Sequence, residues 1–178
     1  MTRDYPDEVA GPYDPPPRQF TDGEDREIAV HAYGEGPVAE ELEAMVEMYV
    51  DYHPEDRAQG IPPAGEENVR DWLDTILAPD CCNVVAWHGD GVAGHATLVP
   101  DRHGAYELAI FVAREYQQAG IGTELMRALL GHGREQGAER VWLTVERWND
   151  AAITLYETVG FERSRDDGFE IEMAARLS

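Results

Sequence analysis

The sequence predicts a mixed α/β fold: a mostly antiparallel sheet of about six to seven strands, with one parallel strand pair and about four flanking helices. Strand-like and helix-like segments follow one another in the order β-α-α-β-β-β-α-β-α-β-β. Asp-Gly turns at residues 90–91 and 167–168 mark two hairpins, which join antiparallel strands. One strand–helix–strand crossover, over residues 106–146, allows a single parallel pair.

The helices are predicted from apolar residues that recur every three or four positions. The first helix begins near Pro37, and a short last helix covers residues 152–159. A longer helix covers residues 120–136, and we expect Gly131 and Gly133 to weaken it. Strands are predicted over residues 27–33, 83–88, 92–99, 106–112, 141–146, 161–165 and 169–174.

The chain of 178 residues suits one domain, residues 25–178, preceded by an extension, residues 1–24. The extension is acidic and proline-rich, which predicts a tail or an irregular strap. It lacks the basic start and apolar stretch of a signal peptide. No apolar run approaches the roughly 20 residues that span a bilayer, and the two adjacent cysteines form no disulfide framework. We therefore expect a cytoplasmic protein without a membrane partner.

Charge is the most unusual global property, with 36 acidic residues against 14 basic ones and a net charge of −22. Every basic residue is arginine. Such a chain repels itself at ordinary ionic strength, but molar salt shortens the Debye length to about 3 Å. The composition resembles that of halophiles that accumulate salt, and a generic acidic protein is the alternative. We expect no nucleic-acid partner, because a basic patch is lacking.

A glycine-containing loop over residues 117–123, Gln-Gln-Ala-Gly-Ile-Gly-Thr, lies between a predicted strand and a predicted helix. Two glycines let the backbone approach a ligand closely, and amides at a helix N-terminus favour anions. A diphosphate would suit this arrangement. A dinucleotide-binding fingerprint needs a third glycine where Leu125 stands, and a P-loop needs a Gly-Lys-Ser/Thr that is absent. A nucleotide-binding domain of another kind stays a weaker alternative.

The loop resembles the cofactor motif of the GNAT acetyltransferases, Gln/Arg-x-x-Gly-x-Gly/Ala. A second family pattern, Asn-x-x-Ala-x-x-Leu-Tyr-x-x-x-Gly-Phe, runs from Asn149 to Phe161, and the resemblance covers residues 27–177. It implies the GNAT fold, acetyl-CoA as cofactor and an amine acceptor. It also implies pantetheine bound along a splayed strand, and a homodimer in many relatives. The implied cofactor-binding residues are Ile110, Phe111, Val112, Gln117, Gln118, Ala119, Gly120, Ile121, Gly122, Thr123, Asn149 and Tyr156.

Two residues are candidate catalytic groups. An amine such as lysine arrives protonated, so a general base is needed. Glu107 resembles a glutamate in this strand of bacterial protein-lysine acetyltransferases, and a solvated edge residue is the alternative. Tyr156 resembles the tyrosine that protonates the leaving thiolate in the family, and a core aromatic is the alternative. The resemblance also implies that a backbone amide near Ile110 stabilises the oxyanion.

Three further residues are candidate acceptor contacts. Arg57 and Gln59 lie in the loop after the first helix, which shapes the acceptor site in the family, and plain loop solvation is the alternative. His95 could line the acceptor pocket or be an ordinary strand histidine. The histidines show no metal-ligand spacing, so we expect no metal. The sequence thus predicts an acetyltransferase acting on a primary amine, with a non-catalytic acyl-CoA-binding module of the same fold as the alternative.

Overall fold

The structure is a computed structural model, and it describes residues 3–58 and 60–178. In chain order its elements are β1 (Arg18–Thr21), β2 (Glu27–Ala32), α1 (Glu41–Val50), α2 (Glu66–Ile76), β3 (Cys82–His88), β4 (Gly91–Pro100), β5 (Tyr106–Val112), α3 (Ile121–Glu135), β6 (Arg140–Glu146), α4 (Asp150–Thr158), β7 (Glu162–Asp167) and β8 (Glu170–Arg176). Single 3-10 turns follow α1, at Pro54–Asp56, and β5, at Arg114–Tyr116. No helix among the described residues combines the length and the apolar composition that crossing a membrane requires.

The strands form one sheet in the order β1-β2-β3-β4-β5-β6-β8-β7. Within the described chain β5 and β6 are the parallel pair, and the other neighbours run antiparallel. The predicted fold class is confirmed. Over residues 3–58 and 60–178 the sheet has eight strands rather than the expected six or seven, because Arg18–Thr21, inside the predicted extension, pairs with β2. The domain boundary at residue 25 stays a prediction.

The two faces of the sheet carry different helices, as alternation along β3 demonstrates. Val84 and Ala86 belong to the apolar cluster that α3 covers, whereas Val85 and Trp87 belong to the cluster that α1 and α2 cover. The same alternation holds on β5, where Leu108 packs on the α3 side and Phe111 on the α1–α2 side. The buried apolar residues of α3 and α4 belong to the first cluster, and those of α1 and α2 to the second.

The strands β5 and β6 separate soon after they meet. Their parallel register contains Tyr106↔Val141 and Glu107↔Trp142, and then stops. On its other edge β5 pairs with β4 along its whole length, from Tyr106 to Val112. Residues 108–112 therefore keep an edge toward β6 that no strand occupies, and a gap opens in the middle of the sheet.

The N-terminal segment packs against the rest of the fold. The Tyr13 hydroxyl donates a hydrogen bond to the Val159 carbonyl, and the Ala10 amide donates to the Arg176 carbonyl at 2.8 Å. Gly131 of α3 lies directly beneath this segment. A Cβ added at Gly131 would lie 2.8 Å from the Tyr13 carbonyl oxygen and 2.8 Å from the Pro15 nitrogen. Glycine at this position allows the segment to lie close to the helix.

We expect Gly131→Ala to destabilise the protein, although alanine is the better helix former. Helix propensity alone would stabilise the variant by about 1 kcal/mol. The added methyl group would displace backbone rather than a flexible side chain, and overpacking of this kind costs about 1–3 kcal/mol. Urea unfolding measures the difference, with Glu135→Ala on the exposed side of α3 as the control. An unfolding free energy of Gly131→Ala equal to or above that of the wild type would contradict the packing argument.

Candidate active site

A cleft of about 550 Å³ lies where β5 and β6 part. Its walls are residues 107–112 of β5, residues 144–146 of β6, part of α4 and the loop that follows α1. Since α4 belongs to the α3 side of the sheet and the loop after α1 to the other side, the cleft is bordered by elements of both faces.

Glu107 lies in the cleft at the point where the two strands separate. Its side chain is exposed, and it shares the face of Phe111, which α1 and α2 cover. The pKa of Glu107 is raised above its ordinary value because the surrounding protein partly desolvates the carboxyl group. The positive charge of Arg3 opposes this shift. The guanidinium carbon of Arg3 lies 3.6 Å from the ring centroid of Trp142, which is paired with Glu107 in the parallel register. Asp101 reinforces the shift.

Tyr156 reaches the cleft from α4, on the opposite side from the Glu107 face. Its ring packs edge-on against Phe161, with 6.1 Å between the centroids. Burial raises the pKa of Tyr156 to about 12, so its hydroxyl is protonated at neutral pH. Asn149 begins α4, and its Oδ1 accepts a hydrogen bond from the Ala152 amide at 3.2 Å. Asn149 also lines the cleft.

The glycine-containing loop leads into α3. Gly120 precedes the helix with φ = 87°, a conformation that favours glycine, and an added Cβ there would meet no described atom within 4 Å. No side chain of the described residues caps this helix, so its first amides have no such partner. Gln117 lines the cleft, whereas residues 118–123 lie beyond its lining. Ala119 and Ile121 are buried, which leaves their backbone as the accessible part.

An arginine–carboxylate pair joins this loop to the segment after α1. Arg114 Nη2 lies 2.9 Å from Asp56 Oδ1, and Gln117 donates to Asp56 Oδ2 at 3.1 Å. Hydrogen bonding from Arg114 lowers the pKa of Asp56, so this carboxylate stays ionised. The contact holds the segment after α1 against the start of the loop, at the edge of the cleft.

Tyr52 is a cleft residue that the sequence analysis missed. It is 7% exposed, and its ring lies 6.3 Å from that of Phe111. Burial is the main reason that the pKa of Tyr52 rises to about 12, with Asp56 contributing. Its place three residues after Tyr49 continues the apolar stripe of α1, so the pattern indicates a core residue rather than a site residue.

The three candidate acceptor contacts have different outcomes. Arg57 lines the cleft. Gln59 lies outside the described residues. His95 is fully buried and is not among the lining residues, so the alternative of an ordinary strand histidine is the better description.

His95 belongs to a buried chain of hydrogen bonds. The Tyr49 hydroxyl lies 2.6 Å from its Nδ1, and Asn83 Oδ1 lies 2.6 Å from its Nε2. Asn83 in turn donates through Nδ2 to the Ile76 carbonyl at 2.8 Å, which orients its amide. A neutral ring protonated on Nε2 satisfies every member. Burial lowers the pKa of His95 from 6.5 to about 3, which favours this neutral ring.

We expect His95 to make the protein lose stability in acid. Its folded pKa is depressed, so the unfolded chain binds a proton that the folded protein excludes between pH 6.5 and about 3. The unfolding free energy should therefore fall with decreasing pH across this window, by about 1.4 kcal/mol per unit from this residue. Urea unfolding of the wild type and His95→Gln measures the difference in slope. Parallel pH dependences of the two proteins would contradict this assignment.

Comparisons with known proteins identify the family of the chain. The model of the acetyltransferase (GNAT) family matches residues 42–161. The chain belongs to this family. The probable N-acetyltransferase camello of Xenopus tropicalis is 34% identical over 54% of this chain and 47% of that protein. The mycothiol acetyltransferase of Propionibacterium freudenreichii is 30% identical over 70% of this chain and 40% of that protein. The chain thus spans less than half the length of either relative.

Solved structures of the family share the fold. The GNAT domain of S. lividans PAT superposes with a TM-score of 0.72 at 15% identity, over 90% of this chain and 96% of that one. The structure of yncA from Salmonella typhimurium with its cofactor acetyl-CoA gives a TM-score of 0.68 at 18% identity, over 85% of this chain and 94% of that one.

Proposed function

We propose that the protein is an acetyl-CoA-dependent N-acetyltransferase that acts on a primary amine. The observation that carries this proposal is the gap between β5 and β6, lined on one side by Glu107 and on the other by Tyr156. Family membership supports acetyl transfer as the reaction class.

The residues around the gap fit CoA in two respects. Toward β6, the edge of β5 at Ile110 and Phe111 has no strand partner, so backbone groups there can pair with the amides of pantetheine. The neighbouring Val112 carbonyl already accepts a hydrogen bond from Gln117 Nε2 at 3.0 Å. The uncapped start of α3, residues 118–123, offers amides and a helix dipole to a diphosphate. These groups attract an anion locally, which a chain of net charge −22 requires.

Acetyl-CoA, when bound, supplies the activated thioester. Glu107 takes the proton from the incoming ammonium group, directly or through water, and its raised pKa makes it a stronger base than an ordinary carboxylate. A β5 amide near Ile110 donates a hydrogen bond to the oxygen that becomes negatively charged.

Tyr156 assists departure of the sulfur. A phenol with a pKa of about 12 is a weaker acid than a thiol, whose ordinary pKa is about 8.5. Its contribution is therefore a hydrogen bond to the developing thiolate, and complete proton transfer is uphill. Asn149 holds α4 in place through the cap at its start.

Thiol release from acetyl-CoA in the presence of an amine panel tests the proposal. The panel includes small amines, lysine and peptides with free N-termini, and the assay is run in molar KCl. We expect acceptor-dependent release with acetylated amine as product. Tight acetyl-CoA binding without turnover would favour the non-catalytic acyl-CoA-binding module. Preference for ATP or NAD over CoA in a thermal-shift screen would favour a nucleotide-binding domain.

We also propose a cytoplasm of high salt as the working environment, on the basis of composition. The net charge of −22 opposes compaction until counterions screen it. We expect the urea midpoint to rise as KCl is increased from about 0.1 M to about 2 M, where the Debye length is a few ångströms or less. An unchanged midpoint would contradict this proposal. The homodimer and the absence of nucleic-acid, membrane and metal partners stay predictions.

A further inference from the structure

In the described part of the chain, Arg57 is the cleft arginine for which no ion pair is found. It follows the 3-10 turn Pro54–Asp56 and lines the gap. Its Nε is buried without a hydrogen-bond partner, and no carboxylate of the described residues pairs with its guanidinium. Arg114, the other arginine lining the cleft, is paired with Asp56 and Glu55. The two arginines therefore differ in what they leave available to a ligand.

This lack of a partner is unusual in the molecule. The chain has 36 acidic residues, so a carboxylate partner is available to most arginines. Each of the other half-buried arginines in residues 3–58 and 60–178 bonds a carboxylate or a backbone carbonyl, as Arg26 does with Asp22. A half-buried guanidinium with a free donor fits a ligand that carries an anionic group, such as a carboxylate or a phosphate.

The face of the sheet on which Arg57 lies indicates which anionic group it would bind. Arg57 follows α1 and lies near the Tyr52 phenol, since its positive charge lowers the pKa of Tyr52 against the effect of burial. Tyr52 packs on Phe111, on the face that also carries Glu107. The start of α3, where we place the diphosphate, belongs to the opposite face. Arg57 is thus on the side of the base, from which the acceptor amine approaches.

We propose that Arg57 binds a carboxylate of the acceptor, so that the substrate is an amino acid or another amine bearing a carboxylate. This rests on the proposed function. The two charges of such a zwitterion find complementary groups in one cleft, the ammonium at Glu107 and the carboxylate at Arg57. A planar guanidinium suits a carboxylate because two parallel hydrogen bonds can form. Simple monoamines lack the second contact.

Matched acceptors test this proposal. L-leucine, L-phenylalanine and L-glutamine are each compared with their α-carboxamides, in wild type and Arg57→Gln, at the lowest KCl concentration that keeps the protein folded. We expect Arg57→Gln to lower kcat/KM for the acids by roughly 10- to 100-fold, mainly through KM, the range for a lost hydrogen bond to a charged group. The amides should change little. Arg57→Lys should restore part of the loss, and Arg134→Gln, at an exposed position on α3, should lose nothing.

Binding measurements separate the outcomes. Calorimetric titration of the same acids and amides into CoA-bound protein reads recognition without turnover. Acids that bind through Arg57 but are never acetylated would reject the proposed function and leave this assignment standing. Equal effects of Arg57→Gln on acids and amides, or no binding of the acids, would overturn it. Weaker binding of acetyl-CoA alone, with the acceptor KM unchanged, would also overturn it and identify the anion as a CoA phosphate.

Discussion

Replacing Tyr156 with phenylalanine is expected to lower kcat by about 10²- to 10³-fold, the range for removing one hydrogen-bond donor that faces a developing negative charge. The substitution removes one hydroxyl from the cleft and retains the ring that packs on Phe161, so the fold should persist. Since the hydroxyl acts on the departing sulfur, the KM for acetyl-CoA should change far less than kcat. Steady-state kinetics with acetyl-CoA varied at a saturating concentration of acceptor measures both quantities.

Tyr52→Phe is the matched comparison for this prediction. Tyr52 lines the same cleft, and its pKa is also about 12. It lies, however, on the Phe111 face with the loop after α1, whereas Tyr156 approaches from α4. We expect Tyr52→Phe to affect acceptor binding more than kcat. A large loss of kcat in Tyr52→Phe, with Tyr156→Phe near the wild type, would move the donor role to Tyr52.

Glu107→Gln is expected to lower kcat/KM by about 10²- to 10⁴-fold through loss of the general base. The carboxylate must be ionised to accept a proton, so activity should rise with pH through the pKa of Glu107. Desolvation raises this pKa, so the rising limb of the pH profile of kcat/KM should lie above the ordinary glutamate pKa of about 4.3. In Glu107→Gln that limb should disappear, and the remaining pH dependence should be that of the ionisation of the amine substrate. The pH dependence of kcat/KM in both proteins measures this difference.

Glu146→Gln controls for charge, because Glu146 is a second carboxylate of the same cleft. Its removal changes the local charge by the same amount and should have a much smaller effect than Glu107→Gln. If Glu146→Gln instead carries the large loss, Glu107 is the solvated edge residue that its exposure allows.

The sequence predicted the order of the elements because each depends on local periodicity and on glycine or proline at its ends. The strand β1 was missed, since the prolines before residue 18 indicate an irregular segment and its four residues gain order from pairing with β2. Gly131 was interpreted from helix propensity alone, whereas its role is a contact with residues 13–15, distant in sequence. Contacts of this kind are tertiary and leave no local pattern.

The candidate site was predicted unevenly for the same reason. The motifs placed Glu107, Gln117 and Tyr156 at one cleft through the family resemblance. His95 could not be assigned to either environment, because β4 is a central strand buried on both faces and its alternation carries no inside–outside signal. Arg57 lacks a carboxylate partner because Arg114 pairs with the neighbouring Asp56. This pairing is a tertiary contact, so no local sequence pattern predicts it.

A crystal structure with bound CoA tests the central claim most directly. The account predicts pantetheine in the gap between β5 and β6, paired with the free edge of β5, and diphosphate oxygens that accept hydrogen bonds from the amides at the start of α3. The sulfur should then lie between Glu107 and Tyr156. CoA bound elsewhere on the protein, with the gap between the strands unfilled, would contradict it.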